Sequence, residues 1–170
     1  MMAYRRKEYE ELRRRLLAGG GLIQLITGPR QVGKTTLVKQ LFSSAEFEGV
    51  YVVAEDGDDV SRLEQWWQRA AMIAAKSNRR VVLAIDEVQK IPKWSERIKR
   101  LYDEDKFAGS LSFALVLLGS SHWLLQRGTT ESLAGRFEQT YMPHWTYLEL
   151  KEAFGITPEQ YVYFGAYPGA

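Results

Sequence analysis

The chain has 170 residues, 45% hydrophobic and 26% charged, enough to enclose the core of one domain of ordinary size. Its 23 basic and 21 acidic side chains leave a formal charge of +2, which supplies no bulk attraction to nucleic acid or to a membrane surface. Cysteine is absent, so disulfides and thiolate zinc sites are excluded; no apolar run reaches membrane-spanning length, and a cytoplasmic location without membrane contact is the expectation.

From the N-terminus, Tyr4 to Leu17 is a charged segment with Tyr9, Leu12 and Leu16 spaced for one helical face, stopped by Gly19, Gly20 and Gly21. Leu22 to Thr27 (LIQLIT) predicts a short strand, followed by a glycine-containing turn and a helix from Lys34 to about Phe42. Gly49 to Ala54 predicts a second strand and Ser61 to about Ala75 a second amphipathic helix, with Ser61 and Glu64 as its capping box. A third strand spans Val81 to Ile85, a third helix Trp94 to about Lys106, and a fourth strand Phe113 to Leu118, broken at Gly119, Ser120 and Ser121. A shorter strand is expected near Gln139 to Met142, whereas the aromatic, glycine-rich end YVYFGAYPGA shows no obvious last element. Nearly continuous apolar strands separated by amphipathic helices require a parallel sheet covered on both faces, so the fold class is α/β.

The turn after the first strand reads GPRQVGKTT and satisfies G-x-x-x-x-G-K-[ST] with Gly28, Gly33, Lys34 and Thr35. The two glycines allow backbone conformations closed to other residues, so successive N–H groups converge on phosphate oxygens at a helix N-terminus. The nucleotide-contacting stretch is therefore Gly28, Pro29, Arg30, Gln31, Val32, Gly33, Lys34, Thr35 and Thr36. Within it Lys34 serves the β- and γ-phosphates as a point charge, and the Thr35 hydroxyl helps to hold Mg²⁺.

The third strand ends in VVLAIDEVQK, with Asp86 and Glu87 side by side. Alone, these would be two solvated loop acids. Ligands of parallel α/β sheets bind beyond the C-terminal ends of the strands, however, where the phosphate loop and this pair both fall. Asp86 is suited to hold Mg²⁺ through a bound water, and Glu87 to polarise a water in line with the γ-phosphate. Beyond the fourth strand, Ser120 and Ser121 either sense the γ-phosphate and orient that water, or cap the next helix. A transition-state arginine is still required; Arg127 and Arg136 are the candidates, with Arg136 favoured. No N-K-x-D guanine signature is present, so the expected cofactors are ATP or ADP with Mg²⁺.

The segments GPRQVGKTT, LAIDEVQKIPKW, LLGSS and SLAGRFE, with Leu148-Glu149-Leu150 and FGAYPG, together resemble the prokaryotic AAA-type P-loop ATPases of the AAA_14 kind. Their ATPase domain is usually followed by a C-terminal DUF4143 domain. The resemblance runs over nearly the whole chain and implies a P-loop NTPase three-layer α/β/α sandwich with a mainly parallel sheet of the AAA/ASCE kind. It makes Lys34, Thr35, Asp86 and Glu87 Walker A and B residues, Ser120 or Ser121 the sensor 1 position, and Arg136 the arginine of an AGR motif. It also implies that residues 1–170 are a single ATPase domain, shortened at the C-terminal end relative to the family.

The expected function is ATP binding and Mg²⁺-dependent hydrolysis coupled to conformational change. The alternative is a nucleotide-dependent switch or interaction module with negligible turnover in isolation. A small-molecule phosphotransferase is disfavoured because no acceptor pocket or lid signature is evident. A missing C-terminal domain, a protein partner or a second copy of the chain are all compatible partners, and Arg136 serves either its own nucleotide or a neighbour's. The runs Arg13-Arg14-Arg15 and Arg79-Arg80 could touch nucleic acid, but Glu8, Glu10 and Glu11 beside the first make it a solvated helix face. The two histidines, His122 and His144, have no metal-site spacing, and the five tryptophans are expected to pack, Trp67 with partial exposure.

Overall fold

The strands expected from the apolar pattern form one five-stranded sheet in the order β2-β3-β4-β1-β5. They are β1 (Ile23–Thr27), β2 (Phe47–Val53), β3 (Arg80–Asp86), β4 (Ala114–Gly119) and β5 (Phe137–Tyr141), and all neighbouring pairs run parallel. The computed structural model describes residues 4–19, 21–120 and 133–167. Ser121, His122, Trp123 and Arg127 lie outside the described residues.

The central strands β3 and β4 are apolar at consecutive positions because both of their faces are covered, and every residue of β1, between them and β5, is likewise buried. Leu83, Ile85, Leu115, Leu117 and Leu25 belong to one core, with Leu63 and Trp67 of α3 (Val60–Ala74) and Ile98 and Tyr102 of α4 (Trp94–Ala108). The intervening Val82, Ala84, Val116, Leu118 and Ile26 belong to the other, with Tyr9, Leu12 and Leu16 of α1 (Glu8–Ala18) and Leu37, Val38 and Leu41 of α2 (Lys34–Phe42). The period-two alternation of side chains thus divides one hydrophobic run between two helix layers. Each fully buried leucine contributes about 1.5–3 kcal/mol relative to exposure, which holds the sheet edges that carry the loops in fixed register.

Some local expectations are corrected. Helix α3 is capped by Asp59, whose carboxylate accepts from the Ser61 N–H at 2.8 Å. Ser61 is inside the first turn, and Glu64 pairs with Arg97 of α4 rather than closing a capping box. A charged acceptor suits the positive end of the helix better than a neutral hydroxyl. Trp67, expected to be partly exposed, is 4% exposed, and its indole donates to Asp105 at 2.7 Å. After β5 the chain folds into α5 (Tyr147–Phe154) and α6 (Pro158–Phe164), and α6 runs into the start of YVYFGAYPGA, where no last element is expected from the sequence. Capping boxes open both, from Thr146 with Glu149 and from Thr157 with Gln160. Only Leu150 of α5 is buried and no residue of α6 is, so the apolar periodicity that announces a helix is missing there. The basic run on α1 is solvated only in part: Arg14 is exposed and Arg13 pairs with Glu46, but Arg15 reaches β5 at Thr140 and Glu138 as well as Glu11, and Glu8 is buried.

Candidate nucleotide-binding site

The loop from Gly28 to Gly33 joins the C-terminal end of β1 to α2 and lies against the segment that leaves β5. Met142 donates its N–H to the Thr27 carbonyl at 2.8 Å, and Trp145 its indole N–H to the Gln31 carbonyl at 3.3 Å. Gly28 has φ +146°, and a Cβ there would stand 2.1 Å from the Met142 carbonyl oxygen. Gln31 holds a left-handed φ of +64° without being glycine, so the loop is maintained by its neighbours rather than by its own preferences. Arg6 stacks over the Trp145 indole, 4.5 Å from its centre, and donates to the Pro143 carbonyl at 3.1 Å.

Lys34, at the first position of α2, is 8% exposed and donates from Nζ to the carbonyls of Gly28 at 2.8 Å and Pro29 at 2.6 Å. Burial lowers its pKa, against the opposing pull of Asp86 and Glu87. The carbonyls of Gly28 and Pro29 thereby hold the ammonium against the loop.

Thr35 follows and donates its hydroxyl to Asp86 Oδ2 at 2.8 Å. Asp86 is the last residue of β3 and is 7% exposed. Its Oδ1 accepts from the Glu87 N–H at 2.9 Å, and its Oδ2 also accepts from the hydroxyl of Tyr51 on β2. The phenol of Tyr51 is pushed up to about 12 by burial and by this carboxylate, so it stays a donor throughout the physiological range. Glu87 has φ +52° and opens a short 3₁₀ turn, Val88–Lys90. Its Oε2 accepts from the Gln89 amide and, at 3.3 Å, from the Ser120 hydroxyl.

These groups line one open cleft of about 420 Å³ at the C-terminal edge of the sheet, shared by Arg30, Gln31, Gly33, Lys34, Thr35, Thr36, Asp86, Glu87, Lys90 and Ser120. Six of the nine expected loop residues, the acid pair and Ser120 are thus brought together from β1, β3 and β4, whereas Gly28 and Pro29 are not in the lining and Val32 is turned into the core with α1 and α2. Arg136 is not among them. It precedes β5, and its carbonyl accepts from the N–H of Ile23 at 2.8 Å, at the opposite edge of the sheet. The length of β1 puts it roughly 16 Å from its own phosphate loop at about 3.3 Å per residue, beyond the reach of its side chain. The guanidinium forks onto Asp103 at 2.7 and 2.9 Å and holds that carboxyl below the ordinary range. The residues that the motifs did not single out are Tyr51, Gln89, Lys90 and Trp145. Their one signal is a polar-tipped or long side chain two to four residues from a strand end.

Residues 21–151 match the family model described as an AAA domain, AAA_14. The chain belongs to that family. This makes it a P-loop domain of the nucleotide-binding ATPase class and agrees with the resemblance carried by its motifs. It is 35% identical over 138 residues to uncharacterized proteins of Mycobacterium tuberculosis and Mycobacterium bovis, covering 81% of this chain and 28% of each of them. The chain thus spans less than a third of the length of those relatives. Among solved structures, this AAA domain is similar to the RuvB Holliday junction branch migration motor of Thermotoga maritima, with TM-score 0.58 and 22% identity over 87% of this chain and 48% of that one. It is also similar to Cdc6p of Pyrobaculum aerophilum, with TM-score 0.60 and 15% identity over 89% and 50% of the two chains. At these identities the likeness to solved structures concerns the fold alone.

The Thr35 hydroxyl and Asp86 carboxylate form a hard oxygen pair that fits magnesium, a cation that takes few protein ligands and is otherwise bound by water and phosphate oxygens. Among the described residues, no group of three or more His, Asp or Glu side chains stands together as a complete metal cage. Also among the described residues, no helix is long and apolar enough to cross a membrane.

Proposed function

We propose that this AAA domain binds ATP with Mg²⁺ in the cleft between β1, β3 and β4 and hydrolyses it, coupling nucleotide state to conformational change. The observation that carries this reading is the meeting of Lys34, Thr35, Asp86, Glu87 and Ser120 in one open cleft. The backbone N–H groups of residues 28–35 and the N-terminal turn of α2 supply donors for the phosphates. Lys34 balances the β- and γ-phosphate charge, and Thr35 and Asp86 hold the cation. Bound there, Mg²⁺ supplies neutralisation of the charge developing on the bridging phosphate oxygens.

Glu87 accepts hydrogen bonds from a water and aims it at the γ-phosphorus, its carboxylate oriented by Ser120 and Gln89. Phosphoryl transfer is governed by positioning and electrostatics, so an oriented carboxylate suffices for this step. Arg136 cannot reach the triphosphate of its own chain. Its role as the arginine that completes the charge stabilisation is therefore proposed in trans, at the nucleotide of a neighbouring copy, after release from Asp103.

That distance is also the observation favouring a second reading, in which an isolated chain binds nucleotide as a switch with negligible turnover. Phosphate release from ATP by the wild type, Glu87→Gln and Lys34→Ala separates the two. Hydrolysis predicts turnover that Glu87→Gln abolishes while nucleotide stays bound. Binding without release above the Glu87→Gln level establishes the switch. Undiminished nucleotide binding by Lys34→Ala overturns the assignment of the site. Loss of turnover in Arg136→Ala, restored by mixing with Lys34→Ala, tests the action in trans.

A further inference from the structure

The Asp86 carboxylate is fixed by three donors, of which two come from the motif segments: Thr35 from the phosphate loop and the backbone of Glu87. The third is the phenol of Tyr51, which reaches the same oxygen, Oδ2, as Thr35 does. Tyr51 stands on β2, paired in register with Ala84, two residues before Asp86 on the neighbouring strand. Its ring packs against the core shared with α1 and α2, with the Lys39 ammonium 5.7 Å from the ring centre. The ring is anchored by that packing, so the hydroxyl arrives at Asp86 at little further cost in side-chain freedom.

We infer that Tyr51 is a positioning residue for the magnesium site, holding the Asp86 carboxylate in the orientation in which Oδ1 keeps an open acceptor site and Thr35 keeps its bond to Oδ2. The inference rests on the ATP–Mg²⁺ reading of the cleft. Two hydroxyl donors on Oδ2 use the acceptor directions of that oxygen, whereas Oδ1, with one backbone donor, keeps an acceptor site for a metal-bound water. Without the phenol, Thr35 alone restrains Oδ2. The same threonine hydroxyl then has to orient the carboxylate and serve the cation. The chain has thus taken from β2, outside both motif segments, a second restraint for a group that must be pre-set before the cation binds.

A phenol that merely finds a partner for its own hydroxyl would be indifferent to magnesium, and the test exploits this. Affinity for a fluorescent ATP analogue is measured in EDTA and across a magnesium titration for the wild type, Tyr51→Phe and Tyr102→Phe. Tyr102 donates its hydroxyl to the Gly21 carbonyl beyond the far end of β1, so its variant controls for the loss of any packed phenol. For Tyr51→Phe, the magnesium concentration that half-maximally tightens nucleotide binding is expected to rise about threefold to tenfold, the value of one hydrogen bond. Its affinity in EDTA stays within about twofold of wild type, and Tyr102→Phe responds to magnesium as the wild type does. A wild-type magnesium response in Tyr51→Phe, or an equal loss of affinity with and without magnesium, overturns the positioning role while leaving the site reading intact. A wild type whose nucleotide binding ignores magnesium overturns both.

Discussion

Replacing Gly28 by alanine tests whether the phosphate loop is built against the β5–α5 segment. The added Cβ would lie 2.1 Å from the Met142 carbonyl oxygen and 3.1 Å from its carbonyl carbon. Even weak C–H···O contacts sit at about 3.3–3.6 Å, so loop or segment must move by roughly 1 Å. That movement costs the 2.8 Å bond from Met142 to Thr27 and disturbs the fully buried Met142 side chain. Backbone strain at positive φ costs roughly 1–2 kcal/mol, overpacking about 1–3 kcal/mol and the lost hydrogen bond about 1 kcal/mol. Gly28→Ala should therefore destabilise the domain by about 3–6 kcal/mol. Gly57 is the control: φ is +100° there, but nothing lies within 4 Å of an added Cβ, so Gly57→Ala carries the strain alone, about 1–2 kcal/mol. Equilibrium urea unfolding at unchanged m-value reads the difference, and melting shows it as roughly 2–4 °C per kcal/mol for a domain of this size. If the two variants agree within about 0.5 kcal/mol, the loop is not braced by Met142 and the reasoning fails.

Trp145→Phe keeps most of the ring but removes the donor to the Gln31 carbonyl; nucleotide affinity should fall about twofold to tenfold with little change in melting temperature, by equilibrium dialysis and thermal unfolding. Ser120→Ala removes one of the two side-chain donors to Glu87, so the maximal rate of phosphate release should fall while nucleotide affinity holds, a split that steady-state kinetics with direct binding detects. Because Arg136 depresses the Asp103 carboxyl, the pair's contribution is present above the ordinary carboxylate range and is lost as pH falls through the lowered folded-state value. Asp103→Asn should thus be less stable than wild type by roughly 0.5 kcal/mol near neutrality, and in thermal melts the gap should close as pH falls through that lowered value. Leu83→Ala, at a fully buried position in the middle of β3, should cost about 2–5 kcal/mol in urea unfolding.

The sheet was legible because its signal is local. Continuous apolar runs such as Val81 to Ile85 and Phe113 to Leu118 have one economical explanation, two covered faces, and the alternation of Val82, Leu83, Ala84 and Ile85 between the cores bears this out. The phosphate loop was legible for the same reason: its glycines, Lys34 and Thr35 are neighbours in the chain and act on one point in space. The helices after β5 were not, since α5 buries only Leu150 and α6 buries nothing, leaving no periodic face to read. Helix α3 shows the limit at finer scale: Asp59 and Ser61 both suit a cap, and the fold took the charged acceptor.

By itself, then, the sequence determined the α/β class, the phosphate loop and the acid pair that ends β3, because each is written in contiguous residues. Only the tertiary structure decided that Tyr51 joins Thr35 on Asp86, that Ser120 and Gln89 share the Glu87 carboxylate, that Trp145 braces Gln31, and that Arg136 faces away from its own cleft. Most of these contacts join residues dozens of positions apart, and which of them meet is set by the strand order β2-β3-β4-β1-β5. That order places β1 between β4 and β5 and β3 between β2 and β4. Parallel strands then put the loops after β1, β3 and β4 at one edge and Arg136, ahead of β5, at the other.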